Sequence, residues 1–192
     1  MQPKDQKLEL YNELIDSCIN NNREAQYKLY NLLSGKMFAV CLRYAKNREV
    51  AEDLLQEGFV KVFNNIQKYR GDGAFEGWVR RIIVNTAVEY YRKSARMYPM
   101  KDVEEMDKDA IWEENGDLLE LEDLMKMINS LSTGYRTIFN LYVVEGYSHK
   151  EIAEMMEISE GTSKSQLARA RYLLIDMVKK SETVKKSAPV TE

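Results

Sequence analysis

Three observations predict an all-α protein made of two small domains. Apolar residues recur at three- and four-residue steps along most of the 192 residues, and only three prolines and nine glycines interrupt them. A run of acids in the middle separates one helical set from another, and each set is long enough to bury a core of its own. The expected division is a first domain over 8–96, an acidic linker over 97–116, a second domain over 117–180 and a disordered tail over 181–192.

The first helix is expected from Leu8 to Ile19, with Leu8, Tyr11, Leu14, Ile15, Cys18 and Ile19 on one face. Asn20 to Asn22 stop it, because asparagine tolerates left-handed and turn conformations. A second helix over Glu24 to Lys46 points Leu29, Tyr30, Leu33, Met37, Cys41, Leu42 and Ala45 inward. The third, Val50 to Ile66, buries Ala51, Leu54, Leu55, Phe59, Val62 and Ile66. Its other face presents Glu52, Asp53, Gln56 and Glu57 together, with Lys61 a turn further on. Carboxylates early in a helix suit the macrodipole, which is one reading of this face. The other is an acidic docking surface for a basic partner.

Gly71 and Gly73 bracket Asp72, a spacing that favours a tight loop. A fourth helix follows. Val79, Ile82, Ile83, Thr86 and Tyr90 mark its buried stripe, while Trp78, Arg81, Asn85, Glu89 and Arg92 fall on another face. A face mixing guanidinium, amide and ring suits single-stranded nucleic acid, where cations hold phosphates and aromatic faces accept unstacked bases. An ordinary amphipathic helix with a solvated basic face would show the same spacing.

Between Met97 and Asp123 stand eleven carboxylates against two lysines, with Pro99 and little periodicity, as expected of a linker extended by its own repulsion. In the second domain, Leu118, Leu121, Leu124, Met125, Ile128 and Leu131 form a stripe that Ser130 to Gly134 breaks. A helix over Gly134 to Val144, with Ser132 as N-cap, ends at Gly146. Ser148-His149-Lys150-Glu151 has the form of a capping box and opens a short helix. Ser159 then caps a longer helix, from Glu160 to Val178, with Leu167, Ala170, Leu174 and Met177 inward. A short helix, a tight turn and a longer helix make a helix-turn-helix, whose second helix enters the major groove. On that helix Thr162, Ser163, Lys164, Gln166, Arg169 and Arg171 are polar and suit base-edge and phosphate contacts.

Other chemistries are disfavoured. Cys18 and Cys41 lie in apolar helical patterns, as packed thiols do; with no close cysteine pair and no plausible nucleophile partner for the lone His149, neither a metal site nor catalysis is expected. There is no phosphate-binding glycine loop, and no cofactor or small-molecule substrate is expected. The N-terminus MQPKDQKLEL lacks a hydrophobic signal core and no long apolar run exists, which predicts a cytoplasmic protein. With a formal charge of −3, any grip on duplex DNA needs a partner to supply charge or geometry.

Two blocks in series, AEDLLQEGFVKVF with FEGWVRRIIVNTAVEYYRK and then GYSHKEIAEMMEISEGTSKSQLARARYLL, resemble a bacterial sigma factor of the small extracytoplasmic-function class. The resemblance covers about Leu14 to Lys180. It implies that Asp53, Gln56 and Glu57 dock on the clamp helices of the largest subunit of core RNA polymerase. It also implies that the loop Gly71, Asp72, Gly73, Ala74, Phe75 cradles a base flipped from the minus-ten element of promoter DNA. Trp78 and Asn85 would stand nearby, with Arg80, Arg81, Arg92 and Lys93 on phosphates. Ser163, Lys164, Gln166, Arg169 and Arg171 would read or hold the minus-thirty-five element. The linker, which can reach about 70 Å, would span the gap between the two elements and run through the polymerase's RNA path.

Two positions depart from the family pattern: Glu157 where a glycine makes the helix-turn-helix bend, and Ser163 where a small apolar residue packs. The function implied is promoter selection and melting of the minus-ten element, with no catalysis, under an anti-sigma factor that is often membrane-bound in this family. Two alternatives stay open on the residues alone: a stand-alone helix-turn-helix regulator, and a sigma-mimic interaction module.

Overall fold

A computed structural model of the chain describes residues 3–97 and 119–187. Among these, eight α-helices and two short helical turns make up all the regular structure. The chain forms two compact units, Met1–Tyr90 and Tyr91–Glu192. The expected linker lies outside the described residues except for Met97.

In the first unit, α1 (Pro3–Ile19), α2 (Arg23–Tyr44) and α3 (Arg48–Asn65) are followed by a 3-10 turn, Ile66–Lys68, and by α4 (Phe75–Met97), whose residues from Tyr91 on are assigned to the second unit. Asparagines set the junctions. Asn21 takes the left-handed conformation with φ 58°, and the Oδ1 atoms of Asn22 and Asn47 accept the amides of Ala25 and Val50, each at 3.0 Å, capping α2 and α3. The core is the sum of the stripes: Leu14, Ile15 and Cys18; Leu29, Leu33, Met37 and Cys41; Ala51, Leu54, Phe59 and Val62; Phe75, Val79, Ile83 and Thr86. Burial raises the thiol pKa of Cys18 and pushes that of Cys41 up to about 12, as inert packed thiols require. At Gly58 a Cβ would lie 2.3 Å from Ile83 Cδ1, so glycine there is what lets α3 and α4 close on each other.

Two residues of the first unit that the periodicity turns inward face out instead, as Leu124 does in the second at 41% exposure. Ile19 ends α1 in solvent and Tyr90 is 40% exposed, because the buried sector of α4 takes in Val84, Ala87 and Val88 in place of Tyr90. Helix α1 also begins five residues earlier than the apolar pattern does, Leu8 being the first apolar position of the stripe.

The second unit contains α5 (Leu119–Ser130), α6 (Thr133–Phe139), α7 (His149–Met156) and α8 (Glu160–Ser187). Ile128, Leu131, Ala170 and Leu174 pack with Met125, Tyr135, Phe139 and Met177. The segment expected as one helix over Gly134–Val144 changes pitch, the α-helix giving way to a π-helical turn over Asn140–Val144. Ser132 occupies the N-cap position, but its side chain makes no capping bond. At α7 both halves of the capping box form: Ser148 Oγ accepts the Glu151 amide at 3.3 Å, and the Ser148 amide donates to Glu151 Oε2 at 2.8 Å. Helix α8 runs on to Ser187 rather than stopping at Val178, since Lys179 to Ser187 contains no glycine or proline to end it.

The helix-turn-helix bend is made by Glu157, with φ 57° and ψ 44°. A Cβ in left-handed geometry costs about 1 kcal/mol that glycine avoids. Glu157→Gly is therefore expected to stabilise the second unit by up to about 1 kcal/mol, less what glycine's freedom costs in the unfolded chain. Urea denaturation followed by helical circular dichroism measures it; a loss of stability would show that the Glu157 side chain contributes more than its backbone strain removes.

Candidate nucleic-acid interface

The loop before α4 is held from three sides. Gly71 and Gly73 adopt φ 79° and 112°, and the Gly73 amide donates to the Gly71 carbonyl at 2.8 Å. The Tyr69 hydroxyl donates to the Gly73 carbonyl at 2.6 Å, and the Trp78 amide to that of Ala74 at 3.2 Å. Beneath them is an aromatic cluster. Phe75 stacks on Trp78 with ring centroids 5.6 Å apart, meets Tyr69 edge-on at 5.0 Å and Tyr11 at 5.8 Å. Gly71, Asp72, Gly73 and Ala74 are exposed, whereas Phe75 is buried. Phe75, expected among the contact residues, is 4% exposed and forms the floor on which the loop rests.

Two cavities adjoin Trp78. One, about 410 Å³, is bounded by the loop and lined by Tyr69, Arg70, Asp72, Gly77 and Arg81. The other, about 300 Å³, lies between α3 and α4 and is lined by Lys61, Asn65, Asn85 and Glu89. Trp78 and Lys68 line both. Arg81, Asn85 and Lys93 are exposed along α4, with Arg80 partly so and Arg92 one residue before Lys93. Glu89 shares the Lys61 ammonium with Glu57, Nζ lying 2.8 Å from each. Burial lowers the pKa of Lys61, but the hydrogen bonds to the two carboxylates outweigh it and leave the ammonium above its ordinary range.

On α3, Asp53, Gln56 and Glu57 are all exposed and fall at steps of three and one, on one face. Glu52 beside them accepts from Arg48 at 2.9 Å. Val60 completes this face at 58% exposure. Sequence reasoning missed it because a single apolar residue on a polar stripe reads as noise; its position seven residues from Asp53 was the available signal.

In the second unit the recognition helix is α8. Ser163 is fully buried, and its hydroxyl lies 3.0 Å from His149 Nδ1, so this expected contact residue faces the core. The reason is periodicity: Ser163, Leu167, Ala170 and Leu174 lie on one buried stripe. Thr162 is partly buried at the helix start, its Oγ1 within 2.8 Å of Ser159 Oγ and its amide bound to the same oxygen at 2.9 Å. Lys164 is exposed and paired with Glu160 at 2.7 Å, which lowers the pKa of that carboxylate by hydrogen bond and charge. Gln166 is partly buried. The Arg169 guanidinium lies over the Tyr172 ring at 5.3 Å, and that of Arg171 over Tyr142 at 5.6 Å, whose ring stacks on His149. Directly opposite the buried stripe stand Ser165, Ala168 and Tyr172, all exposed. A helical wheel drawn from Leu167 and Leu174 would have found them; selecting by polarity alone passed over Ala168.

Among the described residues no helix is long and apolar enough to cross a membrane, and no group of three His, Cys, Asp or Glu side chains is placed to hold a metal ion.

The two units correspond to two family profiles: Sigma-70 region 2 matches residues 29–97, and Sigma-70 region 4 matches residues 121–174. These two matches place the chain in the sigma-70 class of transcription initiation factors. The ECF RNA polymerase sigma-E factor of Haemophilus influenzae is 31% identical over 174 residues, covering 82% of this chain and 92% of its own. That of Escherichia coli K12 is 32% identical over 173 residues, covering 81% and 90%. The chain belongs to the ECF sigma factors. Among solved structures, the sigma factor RpoE of Bartonella quintana, in complex with the anti-sigma factor NepR, aligns with a TM-score of 0.50 over 80% of this chain and 96% of its own, at 24% identity, a likeness of fold.

Proposed function

We propose that this sigma factor, which directs RNA polymerase to promoters, melts the minus-ten element by trapping an extruded base in the loop over 71–74, against Trp78. The observation that carries the reading is the loop itself: a cavity of about 410 Å³ already formed beside a partly exposed indole, its backbone fixed by the Tyr69 hydroxyl. Extruding a base costs a few kcal/mol of unstacking, and a pocket that needs no rearrangement offsets more of that cost than a mobile one. Arg80, Arg81, Arg92 and Lys93 along α4 supply phosphate contacts. Asp53, Gln56, Glu57 and Val60 dock the first unit on core polymerase. The second unit lays α8 in the major groove of the minus-thirty-five element, with Ser165, Ala168 and Arg169 toward base edges and Lys164 and Arg171 toward phosphates.

The factor works in the cytoplasm, carries out no chemistry of its own and is held in check by an anti-sigma factor, a partner suggested by its family. Trp78→Ala is expected to lower open-complex formation about tenfold or more while leaving closed-complex binding within about twofold, measured by permanganate reactivity and by gel shift with holoenzyme. Equal losses in both assays would remove the melting role.

A further inference from the structure

A row of four side chains in the second unit runs from the buried core to the surface. It starts at Ser163, fully buried on α8, whose hydroxyl lies 3.0 Å from His149 Nδ1 in the first turn of α7. The His149 imidazole stacks on the Tyr142 ring, with centroids 4.5 Å apart and planes 26° from parallel. The Arg171 guanidinium lies over that same Tyr142 ring, 5.6 Å from its centroid. Tyr142 and His149 are half-buried, and Arg171 is exposed about two turns further along α8 than Ser163. Tyr142 itself belongs to the π-helical turn Asn140–Val144, which the Glu145 amide closes on the Asn140 carbonyl at 2.9 Å.

Each member restrains the next. The hydrogen bond to a core hydroxyl orients the imidazole, the imidazole sets the plane of the phenol ring, and the ring limits where the guanidinium can go. A free arginine that must be immobilised on meeting a phosphate loses about three- to tenfold in affinity through lost rotamer freedom. Attraction to a ring face acts through the arginine's charge and consumes none of its N–H donors, so a guanidinium held this way still offers them to a phosphate. We infer that Tyr142, backed by His149, is a positioning residue for the minus-thirty-five contact: it orders Arg171 before DNA arrives. The inference rests on the proposed seating of α8 in the major groove and names the residue that sets one of its phosphate contacts.

A double-mutant cycle on holoenzyme tests it, with closed-complex affinity for a promoter duplex measured by gel shift across a range of salt. Arg171→Ala is expected to weaken binding alike on every sequence and to lower the slope of log affinity against log salt by about one. Tyr142→Leu, which removes the ring and keeps the bulk, is expected to cost about three- to fivefold in the natural background and nothing further beside Arg171→Ala. Tyr142→Phe, which keeps the ring, is expected to restore affinity to within about twofold. An equal loss from Tyr142→Leu in both backgrounds overturns the positioning role and leaves the phosphate contact of Arg171 standing. Loss in Tyr142→Phe as large as in Tyr142→Leu overturns it too, because the hydroxyl would then be the group that matters. No effect of Arg171→Ala on affinity or slope overturns both the phosphate contact and the inference. Should Tyr142→Leu fail to fold, His149→Gln carries the same cycle: a loss of about twofold that vanishes beside Arg171→Ala is expected, and a loss that persists there overturns the role.

Discussion

Replacing Asp53 and Glu57 by lysine is expected to reduce binding to core RNA polymerase by at least about a hundredfold, which a pull-down reads as loss of the complex. The two carboxylates share an exposed face of α3 with Gln56 and Val60, and against a basic partner surface each reversal exchanges an attraction for a repulsion worth several kcal/mol. The two sites differ in their cost to the fold. Glu57 holds Lys61 together with Glu89, so its reversal sets two ammonium groups side by side, whereas no bond or ion pair of Asp53 is among the described contacts. Asp53→Lys alone is therefore the cleaner variant, with the thermal midpoint of the free chain as its control. Binding should weaken while the midpoint stays within a few degrees. Full binding by the double variant at physiological salt would take the docking role away from α3.

Arg136→Ala is expected to cost the second unit about 3 kcal/mol, enough to melt it at a urea concentration where the first unit remains folded. Arg136 is among the largest fully buried side chains, at 1% exposure, in a helix of only seven residues. Its Nη1 donates to the Asn129 carbonyl at 2.8 Å, in the last turn of α5, where helix carbonyls lack partners of their own. Truncation removes a charge-assisted bond, leaves a buried acceptor unsatisfied and opens a cavity, and each of these costs about 1–3 kcal/mol in other proteins. Arg136→Met, which keeps most of the volume, should cost less than alanine. The measurement is urea unfolding followed by helical circular dichroism, in which the variant should show two transitions. A single unshifted transition would mean that Arg136 is a passenger in its core.

Most of the helices and turns were legible from residue pattern because their causes are local. The asparagines that end α1, the Ser148–Glu151 box and the paired glycines of the loop each act within a few residues, and each forms the bond or turn that its residue type favours. The helix-turn-helix was legible for the same reason, whereas the bend at Glu157 was expected only from the family resemblance, where a glycine usually stands. What pattern mistook were residues whose polarity and placement disagree. Ser163 is polar but shares a buried stripe with Leu167 and Ala170. Tyr90 is apolar enough to read as core and lies outside the buried sector of its helix.

The sequence by itself determined an all-helical chain, its two units and the family it belongs to, since periodicity, capping residues and motif order are written along one dimension. Only the tertiary structure decided which side of each helix is presented, that Tyr69 ties the loop over a floor of Phe75, and that Trp78 stands between two cavities. The physical reason is that a cavity is space left over between elements. Its walls come from α3, the loop and α4 together, and no single segment encodes the distance between them.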